Sequence, residues 1–183
     1  SNMACSGEVA IDGVVQDETF RDARTKIGYL SNEMALFEKF TIRETLRYFG
    51  ELRQIPKTEL QERINSFNQL FEMGSFLDKR FDQLSAGQKQ RSLVTATLLH
   101  RPDIIILDEV TASLDVMSAK KIMDYLLELR QEGKAILFST HILSEVEYIS
   151  DRVVIINEGK LVETTTVDHL KEKHGVHSIM DAF

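Results

Sequence analysis

The amino-acid sequence has no apolar run long enough to cross a bilayer, and it is poor in cysteine and proline. Its longest apolar runs, such as Ile104–Leu107 and Val153–Ile156, fall far short of the roughly 20 residues that a spanning helix needs. Any role at a membrane is therefore expected to act through a partner. The single cysteine, Cys5, excludes an internal disulfide and favours a reducing cytosol.

Basic charge is also in deficit, because 22 Lys and Arg residues face 29 Asp and Glu residues and leave a formal charge of −7. A chain without a basic stripe is not expected to bind nucleic acid. With two prolines, nine glycines and no low-complexity linker, the 183 residues are enough for one domain, or for one domain that lacks a piece.

The first half of the chain is predicted to be mainly helical. Alternation around an Asp-Gly turn predicts a strand edge or hairpin over Glu8–Val15, and Ile27–Leu30 reads as a second strand. Apolar residues at helical spacing then predict two amphipathic helices that separate near Pro56. Their apolar faces are Ile42, Leu46, Phe49 and Leu52, and then Leu60, Ile64, Phe67, Leu70 and Phe71. A third helix is predicted from Ser85 through Leu99.

After Pro102 the pattern becomes α/β. The continuous apolar runs predict strands buried on both faces of a parallel sheet. The predicted elements are strand Ile104–Leu107, helix Ser118–Gln131, strand Ala135–Ser139, helix His141–Ile149, strand Arg152–Asn157, a returning strand Lys160–Glu163 and a polar C-terminal helix. The domain organisation is therefore a helical segment at about 40–100, an α/β core at about 6–39 and 101–165, and a C-terminal helix at about 166–174.

Two carboxylates follow the predicted strand in IIILDE (104–109). Open α/β sheets bind ligands at the carboxyl ends of their strands. There Asp108 can hold Mg²⁺ through its water shell, while Glu109 can polarise an attacking water. The alternative is a buried strand that ends in acidic residues before a loop.

The stretch LSAGQKQR (84–91) also has two interpretations. Ser85 followed three residues later by Gln88 is a capping box of an ordinary helix. The same helix start, with Gly87 and free backbone N–H groups, is a site for phosphate oxygens.

Two further residues belong to the same predicted region. His141 follows the strand in FSTHI and is placed at the same sheet edge, where a structural histidine is the alternative. Asp115, in ASLD, is either part of the site or the N-cap of the next helix.

The set of motifs, in this order and at these spacings, resembles the nucleotide-binding domain of ATP-binding cassette (ABC) transporters from about Ser6 to Lys173. The resemblance includes SGEVAIDG, IGYLSN and DRVVIINEGKLVE, and the stretch Leu36–Ile55 is most similar to the sodium-extrusion and antibiotic-export branch. It implies a P-loop NTPase-like ABC ATPase core, α/β with a parallel sheet and an inserted helical subdomain. It also implies ATP and Mg²⁺ as cofactors.

The resemblance assigns roles residue by residue. Asp108 is similar to the Walker B aspartate near Mg²⁺, Glu109 to the catalytic base and His141 to the switch histidine at the γ-phosphate. The resemblance also assigns nucleotide-binding roles to Ser85, Ala86, Gly87 and Gln88 of the signature, Asn32 of the Q-loop and Asp115 of the D-loop. The helical segment and the Asn32–Phe40 loop resemble the surface that docks a transmembrane permease. A second nucleotide-binding domain would pair head to tail, at the cytoplasmic side of a membrane.

The sequence departs from the family pattern at several positions. Asn32 stands where a glutamine is usual, Ala86 where a glycine is usual, and Val110, Ser113 and Val116 where proline, glycine and proline are usual. The largest departure is that GxxxxGKS/T, the P-loop that holds the phosphates, does not occur in these 183 residues. The N-terminal P-loop segment of the family is therefore expected to be missing.

Two hypotheses of function follow. The chain is either part of the ATP-hydrolysing subunit of an exporter, inactive by itself, or a non-catalytic module that pairs with a complete subunit or a membrane partner. DNA-repair and chromosome ATPases are disfavoured, because the interval between Asn32 and Ser85 is too short for their coiled-coil insertions. A chain without the P-loop segment is also expected to have an uncovered sheet face or edge and to self-associate.

Overall fold

A computed structural model describes residues 9–11, 13–15, 25–31 and 34–181 of the protein. The described chain begins with an antiparallel hairpin of β1 (Ala10–Ile11) and β2 (Val14–Val15). Gly13, in the turn, has φ +77°, a backbone conformation that glycine adopts without a steric cost. The hairpin predicted from the Asp-Gly turn is confirmed over these residues.

The centre of the fold is a parallel sheet of β3 (Ile27–Leu30), β4 (Ile104–Asp108) and β5 (Ala135–Ser139), in the order β3-β4-β5. All three strands run the same way, so their carboxyl ends meet at one edge of the sheet. At Gly28 a Cβ atom would lie 2.8 Å from Pro102 Cγ and 2.9 Å from the Thr97 carbonyl oxygen, so the absence of a side chain allows this close packing.

Only one face of this sheet is buried in the described residues. Ile105 and Leu107 point into the core. On the opposite face Tyr29, Ile106 and Leu137 form one row across the three strands, and Tyr29 and Leu137 are 59% and 65% exposed. The prediction that β4 and β5 are buried on both faces is wrong, because no described helix covers this row. The expected uncovered face is present.

Helices α1 (Ile42–Leu52), α2 (Lys57–Leu70) and α3 (Ala86–Leu98) form the helical segment. Thr41 caps α1 with a capping box, and Pro56 precedes α2. The two helices approach closely at Gly50, where a Cβ atom would lie 2.3 Å from Leu60 Cδ1. Leu52, predicted on the apolar face of α1, is exposed.

The second half of the chain adds α4 (Val116–Gln131), α5 (Leu143–Ile149), β6 (Arg152–Asn157), β7 (Lys160–Thr166) and α6 (Val167–His174). Strands β6 and β7 form an antiparallel hairpin that does not pair with the parallel sheet within the described residues. Short 3-10 turns lie at Phe81–Gln83 and Ile179–Asp181. None of the helices in the described ranges is long and apolar enough to span a membrane.

Candidate functional site

Asp108 and Glu109 lie at the carboxyl end of β4, directly beside the end of β5. Asp108 is opposite Ser139 in the parallel register, and the Ser139 hydroxyl donates a short hydrogen bond to Asp108 Oδ1. The backbone N–H of Glu109 reaches both the carbonyl oxygen and the hydroxyl oxygen of Ser139 at 3.2 Å. Ser139 therefore contacts both acidic residues. This role was not predicted from the sequence, although a polar residue at the end of a strand is a signal for it.

Glu109 and His141 are brought together at this sheet edge. Glu109 Oε1 lies 3.2 Å from His141 Nδ1, and the two side chains are 39% and 74% exposed. Glu109 has φ +44°, a left-handed conformation that costs a non-glycine residue on the order of 1–3 kcal/mol. Strained residues of this kind cluster at functional sites, where the surrounding structure holds them in place.

Behind these two residues lies the buried side chain of Glu145, in the first turn of α5. Its carboxylate accepts hydrogen bonds from the hydroxyls of Thr111, at 2.6 Å, and Thr140, at 2.7 Å. None of these three residues was identified from sequence, because nothing local links positions 111, 140 and 145.

Ser85 is the N-cap of α3, as its spacing to Gln88 predicts. The Gln88 N–H donates to Ser85 Oγ at 3.3 Å, and the Gln88 side chain accepts from the Ser85 N–H at 3.1 Å. The N–H groups of Ala86 and Gly87 make no hydrogen bond within the described part of the chain. Two donors are therefore available at the positive end of the helix dipole.

Helix α3 is attached to the loop that follows Glu109. Gln90 donates from Nε2 to the Val110 carbonyl oxygen at 2.8 Å. At Gly87 a Cβ atom would lie 3.2 Å from the Ser113 carbonyl oxygen, so the glycine allows a close approach. Ser113 itself has φ +66°, a left-handed backbone conformation that glycine adopts more easily than serine. Gln90 is another residue that the motifs in the sequence did not identify.

Asp115 is the N-cap of α4, as one of the two interpretations of ASLD predicts. Its Oδ1 accepts from the Ser118 N–H at 2.9 Å and its Oδ2 from the Ser118 hydroxyl at 2.7 Å. These hydrogen bonds, that of the hydroxyl first, lower the pKa of the Asp115 carboxyl. The carboxylate makes no hydrogen bond to Glu109 or His141 in the residues that the structure describes.

Asn32 lies outside the described residues. Across the described ranges no three His, Cys, Asp or Glu side chains converge as a metal-binding group. The predicted contact of Asp108 with Mg²⁺ runs through water and needs no such group, so it stays a prediction.

Comparisons with known proteins identify the family. The ABC transporter family model matches residues 2–112. The chain is 32% identical over 167 residues to the ABC transporter ATP-binding protein NatA of Bacillus subtilis, a match that covers 91% of this chain and 68% of that protein. It is 27% identical over 175 residues to the linearmycin resistance ATP-binding protein LnrL of the same organism, covering 96% of this chain and 56% of that one.

A solved structure of similar fold is the dimeric, post-hydrolysis state of an ATP-binding cassette bound to ADP and Pi. It superimposes with a TM-score of 0.76 at 26% identity over 88% of this chain and 74% of that chain. The chain belongs to the ABC transporter family, and its fold is that of the ATP-binding cassettes of this family. It spans 68% and 56% of the length of the two curated relatives named above.

Proposed function

We propose that this chain is part of the ATP-binding and ATP-hydrolysing subunit of an ABC transporter that works as an exporter. The observation that carries the proposal is the pair of Glu109 and His141, 3.2 Å apart at the carboxyl edge of the parallel sheet of an ABC-family chain. A strained acidic residue beside an imidazole at this edge suits a site in which a water is polarised next to a phosphate.

The residues at the sheet edge take separate roles in this proposal. Glu109 accepts a proton from the attacking water, and His141 donates a hydrogen bond to the γ-phosphate. Asp108, held by Ser139, would hold Mg²⁺ through the water shell of the ion. Asn32, which has the Q-loop position by resemblance, is proposed as a further nucleotide-binding residue. Bound Mg²⁺ supplies charge that neutralises the phosphates during transfer.

The described residues fit an Mg-nucleotide only in part. The carboxylates and the imidazole stand at one edge, and α3 offers two N–H donors, yet these 183 residues contain no GxxxxGKS/T loop to hold the β- and γ-phosphates. By itself the chain is therefore proposed to be inactive.

The signature residues act on a nucleotide held by a second cassette. In a head-to-tail dimer Ser85, Ala86, Gly87 and Gln88 of one chain face the phosphates bound by its partner, and Asp115 lies at the interface. The free N–H groups of Ala86 and Gly87 support this role, since donors at a helix N-terminus suit phosphate oxygens. The dimeric state of the ADP-bound relative supports it as well.

A membrane permease is proposed to dock on the start of the helical segment, which would keep the chain at the cytoplasmic side of a membrane. Phe37, Phe40 and Tyr48 are exposed aromatic residues. The Phe37 ring packs against the rings of Phe40, Tyr48 and Phe49 at centroid distances of 5.2 to 6.0 Å. Exposed aromatic clusters are typical of protein interfaces. The proposed direction of transport is export, and it is supported by relatives such as LnrL, a protein named for linearmycin resistance.

Self-association of this chain through β5 is also proposed. The Ala135 N–H bonds to Asp103 and the Ser139 carbonyl accepts from Glu109, both toward β4. Alternate residues of a parallel strand point the same way, so the backbone groups of Ile136 and Phe138 point away from β4, where no described strand pairs with them.

A second copy fits this edge. Ala135–Ser139 contains no charge and no proline, the usual features that block pairing at an edge strand. Antiparallel pairing centred on Leu137 would place this side chain beside its counterpart. The apolar row of Tyr29, Ile106 and Leu137 would then continue into the second copy.

The alternative function is a non-catalytic module that pairs with a complete subunit or a membrane partner, a function that does not require the GxxxxGKS/T loop absent from these 183 residues. The test uses a restored cassette, defined as this chain preceded by an ABC-family segment that carries such a loop. The exporter proposal expects the restored cassette to hydrolyse Mg-ATP, whereas equilibrium dialysis of the 183-residue chain should give no micromolar affinity for ATP. A restored cassette that binds ATP without hydrolysing it would favour the module.

A further inference from the structure

Glu145 is a buried acidic residue without a cationic partner among the described residues. The residue is 8% exposed, and each carboxylate oxygen accepts one hydroxyl hydrogen bond, from Thr111 at 2.6 Å and from Thr140 at 2.7 Å. Burial of a carboxylate is costly unless hydrogen bonds compensate for the lost water. An apolar side chain would fill the same space at lower cost, so packing alone does not explain a glutamate here.

The two hydroxyls come from the two loops that carry the proposed catalytic residues. Thr111 stands two residues after Glu109, and Thr140 immediately precedes His141. Thr140 Oγ1 also accepts the Ile142 N–H at 3.0 Å, so the backbone is fastened on both sides of His141. Glu145 therefore joins the nearby segment of Thr140, 5 residues away, to the distant segment of Thr111, 34 residues away.

The Glu109 loop needs such an external constraint. Glu109 at φ +44° and Ser113 at φ +66° are both in conformations that non-glycine residues rarely adopt. Within that loop the Ala112 N–H bonds back to the Glu109 carbonyl at 3.0 Å, which stabilises the turn but does not fix it relative to His141. The Glu145 carboxylate provides a direct link between this turn and the loop of His141.

We propose that Glu145 is a positioning residue that couples the Glu109 loop to the His141 loop through Thr111 and Thr140. Its carboxylate holds the two hydroxyls at one point, and the 3.2 Å separation between Glu109 and His141 is maintained as a result. This inference rests on the proposed function, because the coupling matters for turnover only if Glu109 and His141 act on one nucleotide.

The geometric part is tested on the 183-residue chain by NMR. Glu145→Ala should shift or broaden the ring resonances of His141 and accelerate amide exchange at Ile142, because the loop loses its attachment. The ring resonances of His100 serve as an internal reference for intact folding.

Glu147→Ala is the matched control on the same helix. Glu147 accepts hydrogen bonds from the Ser178 hydroxyl at 2.7 Å and the Ile179 N–H at 3.3 Å, and it does not contact either catalytic loop. Its removal loosens the docking of α5 and should leave His141 unchanged. If Glu147→Ala moves His141 as much as Glu145→Ala does, Glu145 has a structural role only and the proposal fails.

Conservative variants keep the test decisive if Glu145→Ala does not fold. Glu145→Gln should retain most of the coupling, since its carbonyl accepts from one hydroxyl and its amide donates to the other. Thr111→Val and Thr140→Val preserve shape and remove one hydroxyl each, so each should reproduce the His141 shift. Unchanged His141 resonances in both valine variants would overturn the proposal.

The functional part is tested in the restored cassette. Glu145→Ala should lower kcat by about 10²-fold, the size of effect expected when a catalytic group is misplaced by about 1 Å, and should change KM for ATP little. Glu145→Gln should recover most of the turnover. Equal kcat in Glu145→Ala and the parent would overturn the coupling. A restored cassette with no ATPase activity would instead count against the proposed function, and the NMR result would still decide the geometry.

Discussion

Glu109 Oε1 lies 3.2 Å from His141 Nδ1, although the two residues are 32 positions apart in the chain. The contact exists because β4 and β5 are adjacent parallel strands in register, with Asp108 opposite Ser139. Each residue follows its strand end closely, so the register places both at one edge of the sheet. Two residues with complementary chemistry thus share a single site.

Substitution of the proposed base is the most direct test of this site. In the restored cassette Glu109→Gln should preserve ATP binding and lower turnover by about 10²–10⁴-fold, because an amide keeps the shape of the side chain but cannot accept the proton. Steady-state hydrolysis and equilibrium dialysis measure the two effects separately. Glu62→Gln, on the exposed surface of α2, is the control and should hydrolyse ATP like the parent. If Glu109→Gln hydrolyses ATP within a few-fold of the parent, Glu109 is not the base.

His141→Ala should also reduce turnover in the restored cassette, by about 10²-fold, the typical cost of removing one donor that stabilises transition-state charge. The side chain is largely exposed, so thermal unfolding should change little. His169→Ala, on α6, provides an exposed histidine for comparison. A silent His141→Ala variant would return this residue to a structural role.

The half-buried His100 is expected to make the free energy of unfolding depend on pH. Burial, and then the charge of Arg53, lowers its pKa to about 4, and its Nε2 lies 3.1 Å from the Ile27 carbonyl oxygen, where the neutral ring donates. The pKa in the folded state is below the unfolded value of about 6.5, so the unfolded chain binds the proton first. The contribution is therefore present above pH 6.5 and is lost as the pH falls toward 4.

The size of this effect can be measured by urea unfolding at pH 7.5 and 4.5. A pKa shift of this size corresponds to roughly 3 kcal/mol, and partial hydration of the ring lowers the expected contribution to about 2 kcal/mol. His100→Gln keeps a donor for Ile27 and removes the titration, so the variant should lose less stability than the parent between the two pH values. Equal losses would show that His100 does not carry this dependence.

The uncovered face of the parallel sheet predicts association of the isolated chain. Leu137→Lys places a charge in the apolar row next to the open edge of β5 and should shift the chain toward monomer, as followed by light scattering. Leu161→Lys, on β7, is a matched control because Leu161 is 66% exposed and Leu137 is 65% exposed. A monodisperse parent chain, with strong amide protection at Ile136 and Phe138, would contradict the prediction.

The sequence by itself determined the features that depend on near neighbours. The capping box of Ser85 and Gln88 and the strand at Ile104–Leu107 each follow from residues within a few positions, because caps and periodicity are local. For Asp115 the sequence offered the helix cap as one of two interpretations. The common sheet edge of Glu109 and His141 was also predictable, since parallel strands place their carboxyl ends together. Asn32, which lies outside the described residues, and the domain boundaries stay predictions.

Only the tertiary structure decided the contacts between distant segments. Nothing near Glu145 in the sequence indicates Thr111, and nothing near Gln90 indicates Val110, because these pairs depend on how α5 and α3 pack against the sheet. The exposure of Leu137 was misjudged from its apolar run for the same reason. An apolar run shows which side chains favour burial. The elements that pack on each face of the sheet decide which of those side chains are buried.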